Sequence, residues 1–344
     1  ANRQEGKYLA GIIVSESSNV TNSLFGELQS PLRMLLEREY EAWMQKEGNA
    51  LQDLFVNMPI TTASTTLGGL TGSNSFEPVG ENGAYPQGGI EEGYFKTFRP
   101  VTWKGSFSIS MEMMEDKLDS VLKGQPIQFL DDYWRARSKF FWGLLGTALQ
   151  NNDTMKLGVE TFSTKTKDDV KLFSQSHKIK RTGKTQSNAF SNAFSEENLG
   201  LVATAMQNLK TDSGEPAGLE PNTIIIPNDA KAKADVFGVL GAFHDTGTAA
   251  SNKFNYQFGN WNVIIAPYLN AYMGTSGYPW ILADLEYNKR YYGAVDVDRK
   301  PLTVRSEIAE NDANVWKGNA RFTGGFYDYR AFAAAGVSFG SSLT

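Results

Sequence analysis

Between Pro126 and Gln150 the apolar residues cover more of a helix than a single neighbour can bury. Phe129, Tyr133, Ala136, Phe140, Leu144 and Ala148 recur at helical spacing, and Trp134, Phe141 and Leu145 widen the stripe. The spacing predicts a helix that Pro126 opens, since proline is tolerated in the first turn. A stripe this broad requires cover on more than one side. Whatever else the chain builds must therefore pack around this rod.

The segment before it has the opposite character. Thr61 to Gly83 is rich in Thr, Gly, Ser and Asn and poor in core residues. Two strand-like runs follow, around Tyr94–Phe98 and Val101–Met111, the second alternating apolar and polar residues. A long turn-rich excursion with β pattern reads as a hairpin projecting from the body. Such a hairpin is marginal alone and needs another surface to lie on.

The remaining segments are read in order. Ser30 and Pro31 begin a predicted helix carrying Leu32, Leu35, Leu36, Tyr40 and Trp43, which Gly48 closes. Residues 151–195 are polar and mixed. Residues 196–290 look like an α/β unit. In it Ser195 starts one helix, Thr223–Ile226 is a buried strand, and Pro227-Asn228-Asp229 caps a second helix. Trp261–Pro267 and Trp280–Ala283 are further strands, and residues 291–344 return to strand pattern. The fold class expected is α+β.

Composition excludes several chemistries. The 344 residues are 41% hydrophobic and 21% charged, which is a folded chain. A net charge of −5 argues against a surface that grips nucleic acid throughout. With no cysteine, thiolate nucleophiles, disulfides and zinc–thiolate sites are impossible. The apolar runs 140–145 and 236–243 are far shorter than a bilayer span, so no membrane association is expected. Ala1 in the first position fits removal of an initiator Met or a maturation cleavage equally.

Catalytic signals are weak. His177 and His244 lie in polar surroundings far apart in sequence, and surface histidines are the simpler reading. Gly183-Lys184-Thr185 ends like a phosphate-binding loop, but Lys178 stands where that motif needs glycine. Gly336-Val337-Ser338-Phe339-Gly340 spells a nucleophile elbow with no acid or histidine after it, so a strand end is favoured. Asp131-Asp132 falls near the expected helix start, where acids suit the dipole. Asp168-Asp169 is a second carboxylate pair. Lys178, Lys180, Arg181 and Lys184 form a basic cluster, read as a solvated loop. No catalytic residue, cofactor site or metal site is assigned, and no enzymatic activity is expected. Twelve percent aromatics, with the seven tryptophans spread along the chain, suit extensive packing and interface surface.

The order of segments resembles the major capsid proteins of tailed bacteriophages, with the Hong Kong 97-type shell fold. The strings that carry the resemblance run from Phe76-Glu77-Pro78-Val79-Gly80-Glu81 to Phe98-Arg99-Pro100-Val101-Thr102-Trp103, similar to an E-loop, and on through Glu112–Leu118. Leu172-Phe173-Ser174 with His177 and Gln186-Ser187-Asn188, Pro221–Pro227, Gly259–Leu269 and Trp316–Arg330 are similar to later segments of that family. The basic stretch 177–184 departs from its pattern.

The resemblance implies an N-terminal arm (1–60), an E-loop (61–115), a peripheral domain with a spine helix (116–195), an axial domain (196–295) and a return to the peripheral domain (296–344). It implies a shell subunit of the virion that assembles in the host cytoplasm into hexamers and pentamers of itself. The shell encloses double-stranded DNA without sequence-specific binding, with scaffold, portal and decoration proteins as partners. Phe76, Glu81, Tyr94, Phe98 and Trp103 are the E-loop candidates for inter-subunit contact. Some relatives crosslink lysine to asparagine; Lys96 and Lys104 lie in the proposed E-loop, yet no partner motif is assigned and no crosslink is expected. An encapsulin-like nanocompartment shares the fold and is the first alternative. A soluble α/β enzyme and a tail-tube or decoration protein are the others.

Overall fold

The computed structural model describes residues 15–16, 50–70, 78–81, 83–85, 92–110, 119–241, 255, 257–273, 277–308 and 313–343. The helix expected at 30–48, the segment 112–118 and His244 lie outside these.

Two sheets and a long helix organise the chain. The larger sheet is built on β13 (Ala294–Ile308) and β14 (Asn314–Phe326), which pair antiparallel along most of their length. β5 (Val101–Ile109) adds antiparallel to β14. On the other edge, β13 pairs in parallel with β2 (Val56–Pro59) and with the short β1 (Ser15–Glu16). β2 follows α1 (Ala50–Leu54), a single short helix. The second sheet has the order β11–β10–β12–β15, from Asn262–Ala266, Thr223–Pro227, Trp280–Ala283 and Phe332–Ala335. β10 is buried at every position, as the run Ile224-Ile225-Ile226 requires of a strand covered on both faces.

Helix α2 (Asp119–Leu149) lies against the larger sheet. Its expected start at Pro126 is corrected: the helix begins earlier and holds Pro126 inside it. An interior proline costs about 3 kcal/mol, because a donor is lost and the ring crowds the preceding turn. Here the ring is buried, and the apolar stripe downstream carries the packing that outweighs it. Asp131 and Asp132 are consequently mid-helix, and the dipole account of them fails. Both are exposed, and Asp132 pairs with Arg135 at 2.7 Å.

The stripe itself behaves as its breadth demands. Phe140, Leu144, Leu145 and Ala148 are fully buried. Phe140 meets Trp103 of β5 (5.4 Å between ring centroids), Phe162 (4.7 Å) and Phe322 of β14 (5.9 Å), so one residue joins helix, sheet and a following hairpin. That hairpin is β6 (Thr154–Leu157) with β7 (Glu160–Ser163). Arg137 adds a polar tie from helix to sheet. It lies over the Phe322 ring at 4.4 Å and donates to Asp298 at 2.9 Å and to Asp296. Close approach is built in by glycine at Gly318, where a Cβ would lie 2.4 Å from the Phe129 ring.

Around the second sheet, α3 (Glu196–Gln207) is capped by Ser195, whose hydroxyl accepts from Asn198 N at 3.1 Å. α4 (Ala230–Leu240) is capped by Asp229, which accepts from Lys231 N and Ala232 N. α5 (Leu285–Tyr291) links β12 to β13. The string Gly336–Gly340 forms the turn after β15, with Gly336 at φ +72°, and the described residues after it form no helix. No helix among the described residues is long and apolar enough to cross a membrane.

Candidate functional site

The projecting segment is a two-stranded antiparallel sheet, β3 (Thr65–Leu70) with β4 (Glu92–Phe98), separate from the larger sheets. Arg99 and Pro100 alone separate β4 from β5, so the hairpin grows directly out of the edge of the large sheet. Its far end is solvent-facing. Every described residue between 78 and 85 is exposed, Tyr85 to 93%, and Phe95 on β4 is 62% exposed. Gly93 allows the two strands to cross closely, since a Cβ there would lie 2.4 Å from the Gly69 carbonyl oxygen.

The base, by contrast, is anchored. Phe98 is buried with Val295, Val297 and Tyr327, and Leu67 packs on them. Lys96 turns inward and donates to the carbonyls of Phe326 (3.0 Å) and Lys165. Burial pushes its ammonium down from 10.5 to about 8, against the pull of Asp169 and Asp168. Between those values the unfolded chain binds more protons than the folded one, so this group's contribution to stability improves as pH rises across that window. Below about 8 the burial penalty is fully present. The melting temperature of the wild type relative to Lys96→Met is therefore expected to rise from pH about 8 to about 10. A difference that stays flat with pH contradicts a buried, charged Lys96.

Further along β4, the Tyr94 carbonyl accepts from Tyr327 Oη at 3.4 Å, and Lys180 Nζ lies 4.5 Å above the Tyr94 ring. Lys180 belongs to the short hairpin of β8 (His177–Lys178) with β9 (Thr185–Gln186), which holds the basic cluster, whose four side chains are exposed.

Beneath the hairpin base is a buried ionic network. Arg330 is 1% exposed and donates to Asp328 (3.0 and 3.2 Å), Asp212 (2.6 Å) and the Lys210 carbonyl (2.7 Å). Lys167 pairs with the same two carboxylates at 2.8 Å (Asp328) and 2.9 Å (Asp212). Two cations and two anions thus balance in a largely buried site, with Asp212 the most exposed of the four at 14%. Burial alone would raise the Asp328 carboxyl, but Arg330 and Lys167 outweigh it and hold it far below the ordinary carboxylate range.

His177 belongs to the same region and corrects the expectation of a surface histidine. It is fully buried, stacked on Tyr329 at 3.6 Å between centroids. Its Nδ1 faces Asp168 Oδ2 at 2.7 Å and its Nε2 faces the Leu172 carbonyl at 3.2 Å. Burial would raise the Asp168 carboxyl; hydrogen bonding to His177 and Thr166 brings it below its ordinary value. Asp169 points the other way, 89% exposed, so the carboxylate pair is split. Asn188 completes the joint, donating to the carbonyls of Leu172 (2.8 Å) and Phe332 (2.9 Å) and accepting from Ser174 N (3.0 Å).

These groups suit mechanical anchoring. Their charges are paired within the chain, and among the described residues no cluster of three His, Asp or Glu could hold a metal.

The five contact candidates are distributed unevenly. Phe76 lies outside the described residues. Glu81 is exposed and Tyr94 half-buried. Phe98, 4% exposed, packs inside its own chain; Trp103 is half-buried, stacked 4.7 Å from Phe322 with its indole N–H donating to the Phe322 carbonyl. Alternation along β4 and β5 marked these aromatics as β residues but not which face looked inward. The sequence reading missed Lys167, Asp212, Asp328 and Arg330, because only Asp328 and Arg330 are near one another in the chain and their partners Lys167 and Asp212 are remote.

The family described as phage capsid protein matches residues 93–335. The chain belongs to that family. The capsid protein is a structural subunit of a phage head shell, and its fold is the Hong Kong 97 type. The capsid of Ralstonia phage GP4 superposes with a TM-score of 0.53 at 10% identity, covering 82% of this chain and 86% of that one. The capsid of an empty GTA particle gives 0.48 at 13% identity over 84% and 90%. A virus-like particle from Pyrococcus furiosus gives 0.46 at 11% identity over 89% and 98%. No curated protein matches the sequence.

Proposed function

We propose that the capsid protein closes into an icosahedral shell of five- and six-membered rings around double-stranded DNA, each copy laying its hairpin across the next. The hairpin carries this reading: a two-stranded sheet with Phe95 exposed on β4, and Val79 and Tyr85 exposed between its strands, is marginal alone, and a neighbouring copy supplies the missing cover. On this reading residues 61–115 are the E-loop, 116–195 and 296–344 the peripheral domain, 196–295 the axial domain and 1–60 an arm. Contacts repeated without two-fold pairing close into rings and shells. Assembly takes place in the host cytoplasm, guided by a scaffold and nucleated at a portal.

Purified particles treated with nuclease test the cargo. Protected double-stranded DNA of uniform length is expected. Shells holding protein and no nucleic acid would instead identify a nanocompartment.

A further inference from the structure

The face of the large sheet turned away from α2 is basic. Antiparallel register places residues opposite one another on the same face. The rows are Thr102, Arg321 and Lys300; Lys104, Asn319 and Thr303; then Ser106, Lys317 and Arg305. The alternating residues Gly105 and Gly318 meet Phe129 of α2, which fixes the basic rows on the opposite side. Lys104, Lys300, Arg305 and Lys317 line a groove of about 450 Å³ there. Arg305 stands directly across from Lys317, a like-charge pairing that weakens a sheet. Glu307 offsets only part of this, through Lys317.

The hairpin has the complementary charge. From Thr65 to Phe95 the sequence contains Glu77, Glu81, Glu91 and Glu92 and no lysine or arginine. Glu81 and Glu92 are exposed.

We infer that the basic groove formed by Lys104, Lys300, Arg305 and Lys317 receives the acidic hairpin of a second copy of this chain. The inference rests on the hairpin being the arm that reaches a neighbour, and it names the surface that arm meets. Each copy carries one acidic projection and one basic groove, the arrangement that propagates head-to-tail contacts around a ring. A small groove admits a few carboxylates, and a net charge of −5 disfavours this chain as a general nucleic-acid surface. Opposed like charges across an interface suppress a pairing strongly, and matched ones speed and orient it.

The test compares shell yield by sedimentation and microscopy for the full chain in four forms. These are wild type, Glu81→Lys/Glu92→Lys, Arg305→Glu/Lys317→Glu, and all four substitutions together. Each pair alone is expected to lower the shell yield roughly tenfold at low salt, and the combination to restore most of it. Circular dichroism and melting check that each variant folds. If the groove variant does not fold, Glu81→Lys/Glu92→Lys decides alone, because those side chains are exposed; wild-type yield from it overturns the inference. Failure of the combined variant to recover while both pairs fold also overturns it. So do groove-variant shells that form normally but retain less DNA, since the groove would then face the cargo. Wild-type protein that forms no shells overturns the shell reading beneath the inference as well.

Discussion

Arg330→Met is expected to destabilise the folded subunit by about 3–5 kcal/mol, the cost of breaking a buried ion pair by removing one partner. The side chain has near-isosteric room, so the loss is electrostatic. Without the guanidinium, Asp212 and Asp328 share the single ammonium of Lys167 in a largely buried site. The Lys210 carbonyl also loses one of its two donors, keeping the amide of Gln186. The effect should depend on pH with a definite sign. In the wild type the depressed Asp328 carboxyl contributes stability that is present above its ordinary value of 3.8 and is lost as pH falls below it. In the variant that carboxyl gains from protonation, so the gap between the two proteins is widest at neutral pH and narrows on acidification. Denaturant unfolding at neutral pH and near pH 4 reads both. A loss under about 1 kcal/mol, typical of exposed pairs, contradicts a buried network.

Excising residues 71–91 should separate folding from assembly. Leu70 pairs with Glu92, so a two-residue Asn-Gly turn can close the shortened hairpin. The described residues removed are all exposed, and the anchors Lys96 and Phe98 remain. The melting temperature is expected to change by no more than a few degrees, since exposed positions contribute little to stability. Shell formation should fall below detection, because the excised arm is the element proposed to bridge copies. A shortened protein that still closes into shells would show that the hairpin tip is dispensable. One that fails to fold would show that the tip belongs to the subunit's own core.

Much of the fold follows from local pattern. The stripe of Phe140, Leu144 and Ala148, the caps Ser195 and Asp229, and the run Ile224–Ile226 each specify structure through neighbours a few residues away. Pro126 misled because a proline at the head of an apolar stripe ordinarily marks a first turn, and only packing of the whole helix shows that it is interior. His177 is flanked by Gln175, Ser176 and Lys178, which suggests a surface site. Its burial is set by Tyr329, remote in sequence. The ionic network was illegible for the same reason: Arg330 finds Asp212 across 118 positions and Lys167 finds Asp328 across 161. Glycines such as Gly324, where a Cβ would lie 2.3 Å from Phe141, likewise record a contact that sequence spacing does not contain.

The most direct measurement is electron microscopy of the purified protein and of the particles that contain it. Uniform closed shells, roughly tens of nanometres across and resolved into five- and six-fold clusters with each hairpin lying on the next copy, are the predicted result. A discrete monomer or dimer under every assembly condition would contradict the account.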